Sequence, residues 1–79
     1  MTNPTLFEVE GVVMENLPNT SFRVRITSNT PETLAEKVLL CHLAGRMRRN
    51  WVRLLPGDKV RLEVNSLDIS KGRIVYRLK

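Results

Sequence analysis

The chemistry this chain could perform is concentrated in one short stretch, Gly45-Arg46-Met47-Arg48-Arg49-Asn50-Trp51-Val52-Arg53-Leu54-Leu55. Four arginines, an asparagine and the only tryptophan sit there among apolar residues. The mixture is too charged for a core and too apolar for a disordered tail. A guanidinium grips two oxygens through its planar fork and is weakly hydrated, so it suits phosphate. A tryptophan beside it can stack on a base or pack beneath the loop. The chemistry implied is docking on RNA, from a corner carried by a small β barrel.

Catalysis finds no comparable support. The only cysteine and the only histidine are neighbours, Cys41 and His42. On a strand, adjacent side chains point to opposite faces, so the two cannot form a nucleophile–base pair. One cysteine and one histidine cannot supply the four ligands a zinc site usually needs. No glycine-rich phosphate loop is present. The expectation is a protein without enzymatic activity, cofactor or metal. Cys41 reads as a small core residue, and His42 as a residue of the barrel surface or edge.

Charge points the same way. The net charge is +5. Residues 1–44 hold three basic against five acidic residues, a balance of −2. Residues 45–79 hold ten basic against three acidic residues, a balance of +7. A basic half beside a mildly acidic half suggests a polyanion bound on one side. No apolar run approaches the ~20 residues of a membrane span, and no basic-then-apolar leader follows Met1. A single cysteine excludes an internal disulfide and fits a reducing compartment.

Elements that would position the arginines follow from periodicity. Residues 6–15 read as a first strand, with Phe7, Val9, Gly11 and Val13 on one face and a bend or bulge at Gly11. Residues 16–20 are turn chemistry. A second strand alternates Phe22, Val24 and Ile26 with Arg23 and Arg25. Residues 27–36 read as a surface excursion. It is capped either by Thr30 with Pro31 at the first helical position or by a Thr33–Glu36 box. Residues 37–43 form a third strand, apolar nearly throughout. Residues 44–50 allow one or two helical turns, closed by the Pro56-Gly57-Asp58 turn. The fourth strand points Val60, Leu62 and Val64 inward. Residues 65–72 read as a loop. The fifth strand, residues 73–78, points Ile74, Tyr76 and Leu78 inward. Five strands with a short helix between the third and fourth make an all-β, OB-fold Greek-key barrel. Residues 6–79 form this single S1-like domain, after a flexible stretch at residues 1–5.

Aromatic residues separate two kinds of RNA binding. Single-strand binders stack bases on several exposed rings. Phe7 and Phe22 alternate with charged neighbours and are expected in the core. Trp51 and Tyr76 are left as candidates to stack, and Tyr76 shares a face with Ile74 and Leu78, which favours the core for it, so phosphate and shape contacts with folded RNA are favoured. Arg48, Arg49 and Arg53 are the strongest candidates, with Arg46, Asn50 and Trp51 beside them. Met47, Val52 and Leu54 would pin the segment to the barrel. Lys71, Arg73 and Arg77 come next, because the last strand of such a barrel runs near its helical corner. Arg23, Arg25 and His42 extend the same surface.

At these residues the chain resembles bacterial and organellar translation initiation factor one. Three blocks carry the resemblance. They are Leu17-Pro18-Asn19-Thr20-Ser21-Phe22-Arg23-Val24, the run from Gly45 through Val60, and Asp68-Ile69-Ser70-Lys71-Gly72-Arg73-Ile74-Val75-Tyr76-Arg77. The resemblance implies a lone, non-enzymatic OB-fold, monomeric when free. It implies binding at the decoding, aminoacyl-tRNA site of the small ribosomal subunit. Contacts would be to rRNA and to a neighbouring ribosomal protein, and the protein would act with initiation factors two and three. It implies rRNA contact by the arginine segment and the last strand, and by the turn at Asn19 and Thr20. The implied location is cytoplasmic, or alternatively the plastid stroma. Residues 27–37 are longer than the tight turn usual in the family, and Trp51 stands where a smaller ring is more common. The alternative reading is a cold-shock-like single-stranded RNA chaperone on the same fold.

Overall fold

Alternating apolar residues close this chain into a barrel. A computed structural model describes residues 5–18, 20–29, 32–49 and 53–78. The elements are β1 (Leu6–Leu17), β2 (Ser21–Ile26), a single 3-10 turn (Glu32–Leu34), β3 (Val38–Leu43), α1 (Gly45–Arg49), β4 (Lys59–Asn65) and β5 (Asp68–Arg77). The strands close in the order β1-β2-β3-β5-β4, with β4 returning to β1. Among the described residues the β3–β5 ladder is parallel and the other four are antiparallel. Closure gives each strand a paired neighbour on both sides over part of its length, which limits the edge available as a template for aggregation.

The core is the inward half of each alternation. Val24, Ile26, Val60, Leu62, Val64 and Ile74 are fully buried, with Cys41 among them. Phe22 is buried, and Phe7 is half-buried against the same cluster. No polar or charged side chain is buried among the described residues. The apolar run of β3 divides cleanly: Leu39, Cys41 and Leu43 face inward, whereas Val38 and Leu40 face solvent. Burial pushes the Cys41 thiol from its ordinary 9.0 up to about 12, against a smaller lowering by the Gly72 backbone.

Four expectations need correction. First, Gly11 is not the bulge. The register slips between Val13 and Glu15, where Met14 is the extra residue. Gly11 instead allows close approach, since a Cβ there would lie 2.6 Å from Val24 Cγ1 and 2.7 Å from the Arg25 carbonyl oxygen. Second, the 27–37 excursion is more than surface. Leu34 is fully buried, and the amide of Glu36 donates to the carbonyl oxygen of Ile26. Leu34 therefore plugs the barrel where β2 ends and β3 begins. Thr30 and Pro31 lie outside the described residues. Thr33 sits inside the 3-10 turn rather than capping a longer helix.

Third, residues 65–72 are not all loop. Asn65 ends β4, Ser66 and Leu67 turn, and β5 already starts at Asp68. The side chain of Asn65 accepts from the Leu67 amide at 2.8 Å, a local bond that tightens the hairpin. Fourth, Tyr76 is not in the core. Arg61 pairs with Tyr76 while the next residue, Leu62, pairs with Ile74, so Val75 is an extra residue on β5. The bulge reverses the side-chain phase, and Tyr76 is 55% exposed. Leu78, expected inward, is half-buried.

Candidate nucleic-acid interface

The arginine segment is held by its apolar residues. Met47 and Leu54 are buried with the strand core, which anchors the described residues beside them. Val52, expected to help, lies outside the described residues. α1 closes the barrel at the end where β3 finishes, and the Ala44 amide donates to the Ile74 carbonyl. Asn16 adds a tether, its side-chain amide donating to the Leu54 carbonyl at 3.2 Å. The Pro56–Asp58 turn docks on β1 through Gly57 N–H to the Val13 carbonyl at 2.8 Å. Gly57 takes a left-handed φ of 95°, which glycine adopts without steric cost.

With the underside fixed, the cations point out. Arg46, Arg48, Arg49 and Arg53 are exposed. The Arg46 guanidinium donates to the Val75 carbonyl at 2.8 Å and so joins α1 to the β5 bulge. Among the described residues, no carboxylate pairs with Arg48, Arg49 or Arg53. α1 spans only five residues, and the amides of Met47 and Arg48 turn back to the Ala44 carbonyl. Side chains, rather than the helix end, therefore carry the positive field.

The last strand behaves differently. Arg73 is bound to Glu63 at 2.8 Å, and Arg77 approaches Asp58 at 3.8 Å. Lys71 makes no ion pair within the described residues but stands near Asp68. The Ser70 hydroxyl and amide hold the Asp68 carboxyl below its usual range, with Lys71 adding to the effect. Lys71 and Arg73 face Leu40 and His42 of β3 across the parallel ladder. They share an outer face with Arg23 and Arg25 on β2. No carboxylate pairs with Arg25 among the described residues, whereas Arg23 pairs with Glu15 at 3.2 Å. Thr20 is exposed at the β1–β2 turn in a left-handed backbone, φ 57°. Asn19, Asn50 and Trp51 lie outside the described residues.

The structure thus brings Arg46, Arg49 and Arg73 to one open depression of about 680 Å³. Arg77 stands apart, at the end of β5 beside the Pro56–Asp58 turn. The depression is also lined by Arg61 and Tyr76, which sequence reasoning did not place at the site, and by Glu8 and Glu63. Arg61 is held by Glu8 at 3.5 Å and Glu10 at 3.3 Å, so it is already neutralised. Its outward place on β4 was legible, but no local signal in the chain marks the bulge that exposes Tyr76.

A closed five-stranded barrel with a cationic corner at its short helix α1 defines a small OB-fold protein of the nucleic-acid-binding kind. Comparison with known proteins narrows the class. The family of translation initiation factor 1A / IF-1 matches residues 1–79, and the chain belongs to that family. Its structure is similar to that of translation initiation factor one from the Wolbachia endosymbiont strain TRS of Brugia malayi. That match has 43% identity and a TM-score of 0.70, and covers 95% of this chain and 80% of that one. A second likeness is to YjeQ from Thermotoga maritima, at 23% identity and a TM-score of 0.66. It covers 92% of this chain but only 23% of YjeQ, and shows the fold alone.

Proposed function

We propose that this protein acts in translation initiation by binding the small ribosomal subunit at the decoding site, through rRNA phosphates and shape. The observation that carries the reading is the set of Arg48, Arg49 and Arg53. They are exposed, lack a carboxylate partner among the described residues, and are anchored by buried Met47 and Leu54. Cations committed to internal pairs would lose part of their attraction for phosphate; these have lost none. Arg46 and Lys71 extend the contact, and Arg73 and Arg77 join it by exchanging a carboxylate for a phosphate.

In this reading the protein performs no chemistry. It occupies a site, beside a ribosomal protein, and acts with initiation factors two and three in the cytoplasm. No described helix is long and apolar enough to cross a membrane. Occupation by several phosphate contacts makes affinity fall steeply with salt, by a slope of about −0.7 to −0.9 per phosphate.

The test is binding of labelled protein to purified small subunits across a salt series, with a decoding-site ligand as competitor. Saturable, salt-sensitive, one-to-one binding lost to the competitor is the expected result. Binding indifferent to the competitor overturns the assignment of the site.

A further inference from the structure

The first half of β1 carries an open sheet edge. Thr5 sets the phase of the β1–β4 ladder. Its carbonyl accepts from the Ser66 amide at 2.8 Å, and its amide donates to the Ser66 hydroxyl at 3.1 Å. Odd-numbered residues through Gly11 therefore bond to β4, and even-numbered ones direct N–H and C=O to the opposite side. β2 covers that opposite side only from Gly11 onward. Glu10 is satisfied by the chain leaving β2. Its carbonyl accepts from the Thr27 amide at 2.9 Å and the Ser28 amide at 3.3 Å, and its amide donates to the Ser28 hydroxyl at 2.8 Å. The backbone groups of Leu6 and Glu8 have no partner on that side among the described residues. They leave a row of donors and acceptors that a further strand can pair with.

The side chains along the edge select its occupant. Leu6, Glu8 and Glu10 point outward, and Leu6 is 54% exposed. Glu8 and Glu10 share one guanidinium, that of Arg61, at 3.5 and 3.3 Å, while Glu63 across from Glu8 is bound to Arg73. Two carboxylates on one cation leave a negative charge beside the edge. A second copy of this chain would set carboxylate against carboxylate across the new pairing, which is destabilising. We infer that the Leu6–Glu8 edge takes up an extended segment of a partner protein, one that alternates lysine or arginine with apolar residues. Main-chain hydrogen bonds to Leu6 and Glu8 hold the segment, and side chains on its two faces give the selectivity. Its cations lie beside Glu8 and Glu10, with an aliphatic stem over Leu6. Its apolar residues meet Phe7, which points inward and is only half-buried. None of these backbone groups belongs to the arginine segment, so the inference goes beyond the RNA reading and does not rest on it.

The experiment titrates the protein with a fluorescein-labelled peptide of alternating lysine and valine and reads amide hydrogen exchange alongside. The expected result is saturable binding with slowed exchange at Leu6 and Glu8. A peptide of the same charge with proline in place of each valine cannot extend a ladder and should not bind. Glutamate in place of each lysine should abolish binding as well. Leu6→Pro removes one edge N–H and spares the β4 ladder, because that N–H points away from β4. It should bind the lysine–valine peptide about tenfold more weakly. Glu8→Gln combined with Glu10→Gln should weaken the same peptide while keeping the wild-type fold by circular dichroism, and it carries the test if Leu6→Pro does not fold. Unslowed exchange at Leu6 and Glu8 in the complex overturns the strand addition, as does equal binding of the proline peptide. Slow exchange at Leu6 and Glu8 in the free protein means that the chain itself holds the edge, and slowing that grows with protein concentration means that a second copy does. Either result overturns the proposal.

Discussion

Arg46 donates from Nη2 to the carbonyl oxygen of Val75 at 2.8 Å, and this one bond joins the short helix to the bulge in the last strand. Arg46 is thus a tether as well as a cation. Arg46→Ala should accelerate amide hydrogen exchange across residues 45–49 and weaken RNA binding. Arg49→Ala should weaken binding alone. Equal exchange in the two variants would show that the bond does not hold the helix.

Arg48 and Arg53 have no comparable structural duty. Arg48→Ala and Arg53→Ala should leave the melting temperature nearly unchanged and reduce affinity for the small subunit. Each lost phosphate contact should also flatten the salt dependence by about 0.7 to 0.9 in slope. Unchanged affinity in both variants would remove this segment from the interface.

Gly11 tests the barrel itself. A Cβ at Gly11 would strike the Arg25 carbonyl oxygen at 2.7 Å, and a backbone atom cannot turn aside. Gly11→Ala should cost about 1–3 kcal/mol in denaturant unfolding. Gly72→Ala should also destabilise, because its new Cβ would meet Leu62 Cδ1 at 2.7 Å and Cys41 Sγ at 3.0 Å, both in fully buried side chains.

Leu34 gives the segment between β2 and β3 a structural duty beyond that of a turn. Leu34→Ala should destabilise the protein by about 2–5 kcal/mol, since it leaves a hole beneath a closed barrel. RNA affinity measured well below the melting temperature should not change. Loss of affinity at full folding would place this segment at the interface instead.

Cys41 gives a pH dependence with a definite sign. Its folded pKa is raised, from an ordinary 9.0 to about 12, because burial disfavours the thiolate. Its contribution to stability is fully present below about pH 9. It declines as pH rises toward about 12, where the unfolded chain alone gives up the proton. Thermal melts from pH 8 to 11 should therefore fall more steeply for wild type than for Cys41→Val. Parallel slopes would mean that the thiol ionises without unfolding.

Much of this molecule can be read without coordinates. The alternations at Phe22, Val24 and Ile26 and at Val60, Leu62 and Val64 face the core as their period requires, because a strand has only two faces and one is buried. The succession of five strands, the helix after β3 and the exposure of Arg46, Arg48, Arg49 and Arg53 follow from local pattern and charge. What required the folded chain is everything that depends on register. One extra residue at Val75 reverses a face and moves Tyr76 from core to surface, and no residue type announces it. Leu34 lies in a stretch that reads as loop, yet it is buried because the barrel mouth above it needs filling. The ion pairs of Arg73, Arg61 and Arg77 join residues of different elements, so only closure of the barrel sets which cations are spent internally and which remain for a partner.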